Sequence, residues 1–411
     1  MIPWLFLGVS LVGAAFTLSA LLRGRNLWLF VVPYFFGAWL TGELALHHIA
    51  WQLLATLGFI TLGAFQAWPG FVGLGITLAS WVGLVLLHRR ASEAAESFES
   101  ALHEGLGGLY RERIEKAKTP HLSEEAPVHL WARPFRMHQG EVERIRNIAY
   151  GDAGKRNLLD VYRGNGASGK RPVLLQIHGG GWVIGQKDQQ GLPLMYELAA
   201  RGWLCVAPNY RLSPKATFPD HIVDVKRALA WIRENASEFG GDPSFVAVTG
   251  GSAGGHLAAL TALSANDPEF QPGFEEIDTR VDACVPFYGI YDLLDRHGFR
   301  GKASMRPFLE RALMKCSPDE QRERWERASP TSRVHLDAPP FFVIHGTHDS
   351  LAFVEDAREF VRSLRKVSKR PVVYAEIPGA QHAFDTFHSL RSRHAINAIA
   401  RFLECARGGT L

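Results

Sequence analysis

Hydrophobic and polar positions divide the chain into two unlike parts. Up to Leu87 nearly every position is apolar, and Arg23, Arg25 and Glu43 are the sole charged side chains. Ile2 to Leu22 carries no charge and is long enough to cross a bilayer, which takes about 20 residues. A signal peptide fits less well, because no basic segment precedes the apolar run and the hydrophobicity continues beyond it. Leu27 to about Leu46, Ile49 to Ala67 and Phe71 to Leu87 form three more candidate spans, separated by Arg23-Gly24-Arg25, His47-His48 and Trp68-Pro69-Gly70. Trp4, Trp28, Trp51 and Trp68 fall near span ends, as interface anchors do. The pattern predicts four helices, with three as the alternative count.

The orientation signals conflict under the four-span count. His88-Arg89-Arg90 after the last span places the following domain in the cytoplasm by the positive-inside rule, but four spans put Arg23 and Arg25 on the opposite side. Three spans reconcile them. Glu43 is expected to lie close enough to a span end to be solvated. His47 and His48 are adjacent, so they point to different sides of a helix and are not expected to bind a metal.

From Arg89 to Lys118 the pattern becomes charged and helical, acids first (Glu93, Glu96, Glu99, Glu104) and bases last (Arg111, Arg113, Lys116, Lys118), which suits the helix dipole. Phe98, Leu102, Leu106 and Leu109 form an apolar stripe. This segment reads equally as a linker or as a cap beside the active site. The expected organisation is a transmembrane region over residues 1–90, an amphipathic linker or cap over 91–140, and a catalytic domain over 141–411.

Beyond Pro120 short apolar runs alternate with helical patterns. Glu143 to Ala149 and Leu158 to Tyr162 predict an antiparallel pair. Pro172 to Ile177, Leu204 to Pro208, Phe245 to Val248, Ala283 to Phe287, Phe341 to Ile344 and Val372 to Ile377 predict strands buried on both faces. Eight strands in this alternation predict an α/β fold: a doubly wound, mostly parallel sheet with helices on both faces, whose ligands bind at the carboxyl ends of the strands.

Motifs stand at those ends. Phe245 to Val248 runs directly into Gly250-Gly251-Ser252-Ala253-Gly254 and then into helical sequence, which is the strand–turn–helix context of a nucleophile elbow. His178-Gly179-Gly180-Gly181-Trp182 follows the strand ending at Ile177; its glycines let backbone N–H groups approach a substrate oxygen closely. Asp349 lies in the loop after Ile344, and His382 in the loop after the last strand, giving the order Ser, Asp, His. Asp356 is a rival acid, but it falls inside a helical pattern and is expected to be solvated. His345, His348 and His388 are expected to be structural or solvent-facing.

Composition changes this picture little. A formal charge of +4 over 411 residues, with no basic stripe, gives nucleic-acid binding no support. The four cysteines, Cys205, Cys284, Cys316 and Cys405, include no C-x-x-C pair, which mildly favours a reducing compartment.

From about Glu143 onward the chain resembles the hormone-sensitive-lipase branch of the α/β-hydrolases. The matching residues are His178 to Trp182, Asn209-Tyr210-Arg211-Leu212-Ser213-Pro214, Phe218-Pro219 with Asp224, Gly250 to Gly255, and the Asp349 and His382 loops. Within that branch it is similar to actinobacterial membrane-anchored carboxylesterases. The resemblance implies an α/β-hydrolase fold with a helical cap, built from sequence before Glu143 and from the insert from about Asp292 to Ser329, whose Phe299, Met305, Phe308, Leu309 and Met314 read equally as ordinary helix core. It implies ester hydrolysis by Ser252, His382 and Asp349 through an acyl-enzyme. Gly180, Gly181 and Ala253 would form the oxyanion hole, with Gly179 the adjacent alternative. No cofactor or metal is implied; the partners implied are a lipid-like ester, the bilayer and a possible second copy of the chain. A peptidase or amidase with the same residues, or a silent binding protein on this scaffold, are the alternatives. One departure stands out: the branch carries an acid before the nucleophile, and here that position is Gly251.

Overall fold

The computed structural model describes residues 1–24, 31–116, 132–165, 170–301 and 304–408. Arg25, Leu27, Trp28 and Lys118 lie outside the described residues. Six helices come first: α1 (Ile2–Leu21), α2 (Val31–Glu43), α3 (Ala45–Thr61), α4 (Trp68–Ser92), α5 (Ala94–Leu106) and α6 (Tyr110–Lys116). The remainder holds strands β1 (Val142–Ala149), β2 (Leu158–Gly164), β3 (Arg171–Ile177), β4 (Leu204–Pro208), β5 (Gly241–Gly251), β6 (Ala283–Phe287), β7 (Phe341–Gly346) and β8 (Val372–Ile377). Between and after them run α7 (Leu192–Ala200), α8 (Asp220–Asn235), α9 (Ala253–Ala262), α10 (Arg322–Ala328), α11 (Val354–Val367) and α12 (Leu390–Arg407).

All eight apolar runs form strands of one sheet, in the order β1-β2-β4-β3-β5-β6-β7-β8. β2 pairs antiparallel with β1 and β4, and every other pair is parallel. Alternate residues face opposite layers. Val173, Leu175, Val246 and Val248 pack with α8, α9 and α11, while Leu174, Ala247, Val285, Phe342 and Val373 pack with α5, α7 and α12. This two-sided burial is why the strands read as unbroken apolar runs.

The charged segment after Arg89 belongs to this core. α4 passes into α5 almost without a break, and Phe98, Leu102 and Leu106 lie buried among the sheet residues, with the Phe98 ring 6.3 Å from that of Phe342. Leu109 falls off the stripe and is exposed. Glu99 takes hydrogen bonds from Tyr110 (2.7 Å) and Arg401 (2.7 Å), tying α5 to α12.

The apolar region departs from four separate spans. Among the described residues, two helical stretches are long and apolar enough to cross a membrane, and α2 with α3, bent by 94° between them, supplies at most a third. The reason is length: the 13 residues of α2 rise only about 20 Å, short of a hydrocarbon core about 30 Å thick.

α1 and α4 pack parallel through small and hydroxylated residues. Trp4 meets Trp68 at one end with ring centroids 5.3 Å apart, Thr77 donates to Ser10 (3.0 Å), Thr17 bonds Ser80 (2.7 Å), and Ala20 meets Leu84 at the other end. Such small contacts allow close backbone approach where no hydrophobic force drives helices together. Parallel packing places Arg23 and Arg90 on one side, and both act on His348, whose pKa burial and these neighbouring cations lower to about 4.

Glu43 is not solvated. Its side chain is 1% exposed and accepts hydrogen bonds from Arg391 Nη1 (2.8 Å) and Ser389 Oγ (2.8 Å). A carboxylate so enclosed requires a paired cation, and the partner comes from the start of α12. Breaking one side of a buried pair costs about 3–5 kcal/mol. Glu43→Gln or Arg391→Met alone is therefore expected to lower the melting temperature of the detergent-purified protein. Glu43→Leu combined with Arg391→Met should recover much of the loss; a double variant as unstable as the sum of the singles would refute the pairing.

Candidate active site

Ser252 sits between β5 and α9 at φ 59° and ψ −121°, a strained conformation for a residue with a side chain. Its N–H donates to Phe287 O (3.0 Å) and its carbonyl accepts from His256 N (2.9 Å), starting α9. The glycines around it have a steric cause. A β-carbon at Gly250 would lie 2.6 Å from Ile177 O, one at Gly254 2.1 Å from the same oxygen, and one at Gly255 2.5 Å from Phe287 O.

Beside the elbow, β3 ends in His178 to Trp182. Gly180 (φ 113°), Gly181 (φ 58°) and Trp182 (φ 61°) all take positive φ, a backbone course that favours glycine at the first two. Gly179 N–H is already committed to Gln190 Oε1 (2.6 Å), which removes it from the candidate anion donors. Among the described residues, the N–H groups of Gly180, Gly181 and Ala253 meet no acceptor.

The loop is propped from below by the Asn209 to Pro214 segment. Tyr210 stacks on His178 with centroids 4.3 Å apart and donates its hydroxyl to His178 O (2.9 Å). Ser213 N–H holds Trp182 O (2.8 Å), and Arg211 is clamped by Asp224 (2.8 Å) and Asp220 (2.8 Å). Burial lowers the His178 pKa to about 4, so its ring is neutral at pH 7 and leaves the loop amides as the local positive ends.

Asp349 and His382 come together at the ends of β7 and β8. Asp349 Oδ2 lies 2.7 Å from His382 Nδ1, while its Oδ1 accepts from the Leu351 and Ala352 amides at 2.8 Å each. Burial alone would raise the Asp349 pKa; His382 and His345 outweigh it and hold the carboxyl well below the usual range. His345 is buried, with Nε2 3.4 Å from the same carboxylate. Asp356 is buried rather than solvated and is occupied elsewhere, accepting from Tyr291 N (2.9 Å) and Arg300 Nη2 (2.9 Å). Its place at the start of α11 faces the sheet, which a helical pattern read without its neighbours does not disclose.

Ser252 and His382 share a neighbour, Tyr288. The Tyr288 ring lies 4.5 Å from the His382 ring, and its hydroxyl stands 2.6 Å from where a Gly251 β-carbon would be. No hydrogen bond joins Ser252 to His382 in this resting arrangement, and catalytic hydrogen bonds commonly tighten only with substrate present.

Four further residues at the site are invisible to motif reading. Tyr288 donates a hydrogen bond to Asp385, three positions after His382. From the apolar region, the Phe35 ring stands edge-on to His382 (6.2 Å), and Trp39 Nε1 donates to Ala383 O (2.9 Å). α2 thus lies over the histidine loop. Of the insert residues expected in a cap, Phe308 reaches the glycine loop, 3.8 Å from the Gly181 β-carbon position, whereas Leu309 and Met314 are ordinary core.

Comparison with known proteins follows this geometry. A family profile described as BD-FAE matches residues 159–364. The chain is similar to the probable carboxylic ester hydrolase LipM of Mycobacterium tuberculosis, at 48% identity over 338 residues, 79% of this chain and 75% of that protein. It is also similar to esterase LipQ of the same organism, at 48% identity over 268 residues, 65% of this chain and 63% of LipQ. Among solved structures, the esterase Est2 of Thermogutta terrifontis superposes with a TM-score of 0.54 at 25% identity, covering 66% of this chain and 93% of Est2.

The packing around the elbow makes a direct prediction. Gly254→Ala is expected to destabilise the protein by about 1–3 kcal/mol through overpacking and to lower soluble yield. Equal melting temperatures for variant and parent would contradict the contact with Ile177 O.

Proposed function

We propose how this chain, which belongs to the BD-FAE family and to the hormone-sensitive-lipase branch of the α/β-hydrolases, carries out ester hydrolysis. Ser252 Oγ attacks the ester carbonyl while His382 Nε2 takes its proton. Asp349, bonded to Nδ1, fixes the tautomer and stabilises the imidazolium. The carbonyl oxygen becomes an oxyanion facing the free amides of Gly180, Gly181 and Ala253; one such donor is worth about 10²–10³ in rate. The imidazolium then protonates the leaving alcohol, leaving an acyl-Ser252. Water gives a proton to His382, attacks the acyl carbon, and the acid departs as Ser252 Oγ regains its proton. The observation that carries this reading is the 2.7 Å Asp349–His382 contact set beside the strained Ser252.

The finer reading concerns place and substrate. α1, α4 and the bent α2–α3 pair anchor the enzyme in a membrane, with the catalytic domain on the cytoplasmic side, supported by Arg23 and Arg90 sharing one side of the helices. The substrate is a hydrophobic ester. Support comes from Phe35 and Phe308, two aromatic side chains from different parts of the chain that stand over the histidine and the glycine loop.

Fluorophosphonate labelling and p-nitrophenyl ester hydrolysis test the chemistry. Ser252→Ala is expected to abolish labelling and to lower kcat by about 10⁴-fold or more, in line with nucleophile removal elsewhere; equal labelling of variant and parent would refute the assignment. A chain-length series tests the substrate. Phe35→Ala should lower kcat/KM for long acyl chains by about tenfold while sparing acetate, and a flat profile would overturn the hydrophobic reading.

A further inference from the structure

Gly251 occupies the position where the resembling branch has an acid, yet the space is not empty. A β-carbon there would stand 2.6 Å from the Tyr288 hydroxyl and 2.9 Å from its ring. Tyr288 follows directly on β6, and the hydroxyl that fills the space donates to the half-buried carboxylate of Asp385 on the histidine loop. An acid therefore reaches the elbow from the far end of the sequence, through a tyrosine.

The pair is held firmly. Tyr288 has φ 34°, a costly conformation, kept by its N–H bond to Ile344 O (2.8 Å) and by packing against Phe287 (5.9 Å) and Phe384 (6.0 Å). Its ring is tilted 54° to His382 at 4.5 Å, so it bounds one face of the imidazole. Within the described residues, the charged and titratable groups acting on Asp385 are Tyr288, His382 and, from α2, Glu43; those acting on Tyr288 are Asp385 and Asp349.

We propose that Tyr288 and Asp385 are a positioning pair for the catalytic histidine: the tyrosine ring seats His382, and the Asp385 charge stabilises the imidazolium formed when Ser252 gives up its proton. The inference rests on the triad reading above. A hydrogen bond to the charged form favours that form, and a nearby negative charge raises the basicity of an imidazole. Burial pushes the Asp385 carboxyl upward and the Tyr288 hydrogen bond opposes it, so losing the hydroxyl weakens the hold on the charged form. Tyr288 itself is pushed well above its ordinary range and stays protonated as the donor.

The test is steady-state hydrolysis of a p-nitrophenyl ester across pH by the full-length enzyme in detergent. The variants are Tyr288→Phe, Asp385→Asn and the two combined. Asp385→Asn is expected to lower kcat about tenfold with KM within about twofold. Its acid limb of kcat/KM should move to lower pH by about one unit, since removing a negative charge weakens the hold of His382 on its proton. Tyr288→Phe should move the limb in the same direction, and the double variant should lose no more than the larger single, because the pair acts as a unit. The proposal is overturned if the acid limb of Asp385→Asn stays in place, or if the two losses multiply. Should Asp385→Asn fail to fold, Tyr288→Phe, which removes one oxygen, carries the acid-limb criterion by itself: an unmoved limb overturns the proposal. Ser252→Ala separates the readings: activity there close to that of the parent sinks the triad itself, whereas a serine-dependent enzyme with an unmoved acid limb sinks only the positioning pair.

Discussion

There is no room for a β-carbon around Ser252, and most of the site follows from that constraint. The ends of β3, β5 and β6 close on the elbow until Ile177 O and Phe287 O leave space for hydrogen alone at Gly250, Gly254 and Gly255. The squeeze holds Ser252 at positive φ, and starts α9 immediately behind it. The same closeness brings the glycine loop alongside, a β-carbon at Gly179 falling 2.5 Å from Gly251 O. Strain of this kind, about 1–3 kcal/mol per residue, persists only where packing over-determines it, and eight strands with both faces buried provide that packing.

Three carboxylates are drawn wholly or partly out of solvent, each compensated differently. Asp349 is held by two histidines and two amides, Asp385 by a tyrosine hydroxyl, and Glu43 by Arg391 and Ser389. A buried charge without such a partner would shift its pKa or unfold its surroundings. The first two stand beside one imidazole, that of His382. The third does mechanical duty, fastening the apolar helices to the start of α12. Because α2 also places Phe35 against His382, the apolar region forms part of the wall around that histidine.

Much of this architecture was legible in the chain. Strands buried on both faces must be apolar throughout, so all eight announced themselves, and the glycine-rich elbow and loop stood out because steric crowding admits no other residue there. Ser252, Asp349 and His382 were readable as candidates by their places after strands. The spans were less legible: hydropathy counts apolar length, whereas the 94° bend at Leu44 is a matter of packing. The acidity of Glu43 and Asp356 was visible but their burial was not, since Arg391 and Arg300, which make burial tolerable, lie far away in sequence.

By itself the sequence determined the α/β-hydrolase sheet, its strand ends and the residues standing on them, because local periodicity and glycine sterics act over a few neighbouring positions. Tertiary structure alone decided what meets across the fold. It chose Asp349 over Asp356, spent Gly179 on Gln190, set α1 parallel to α4, and filled the gap beside Gly251 with Tyr288 and Asp385. Those choices depend on hydrogen bonds and contacts between distant segments, where burial makes each polar group seek a partner and no local pattern says which.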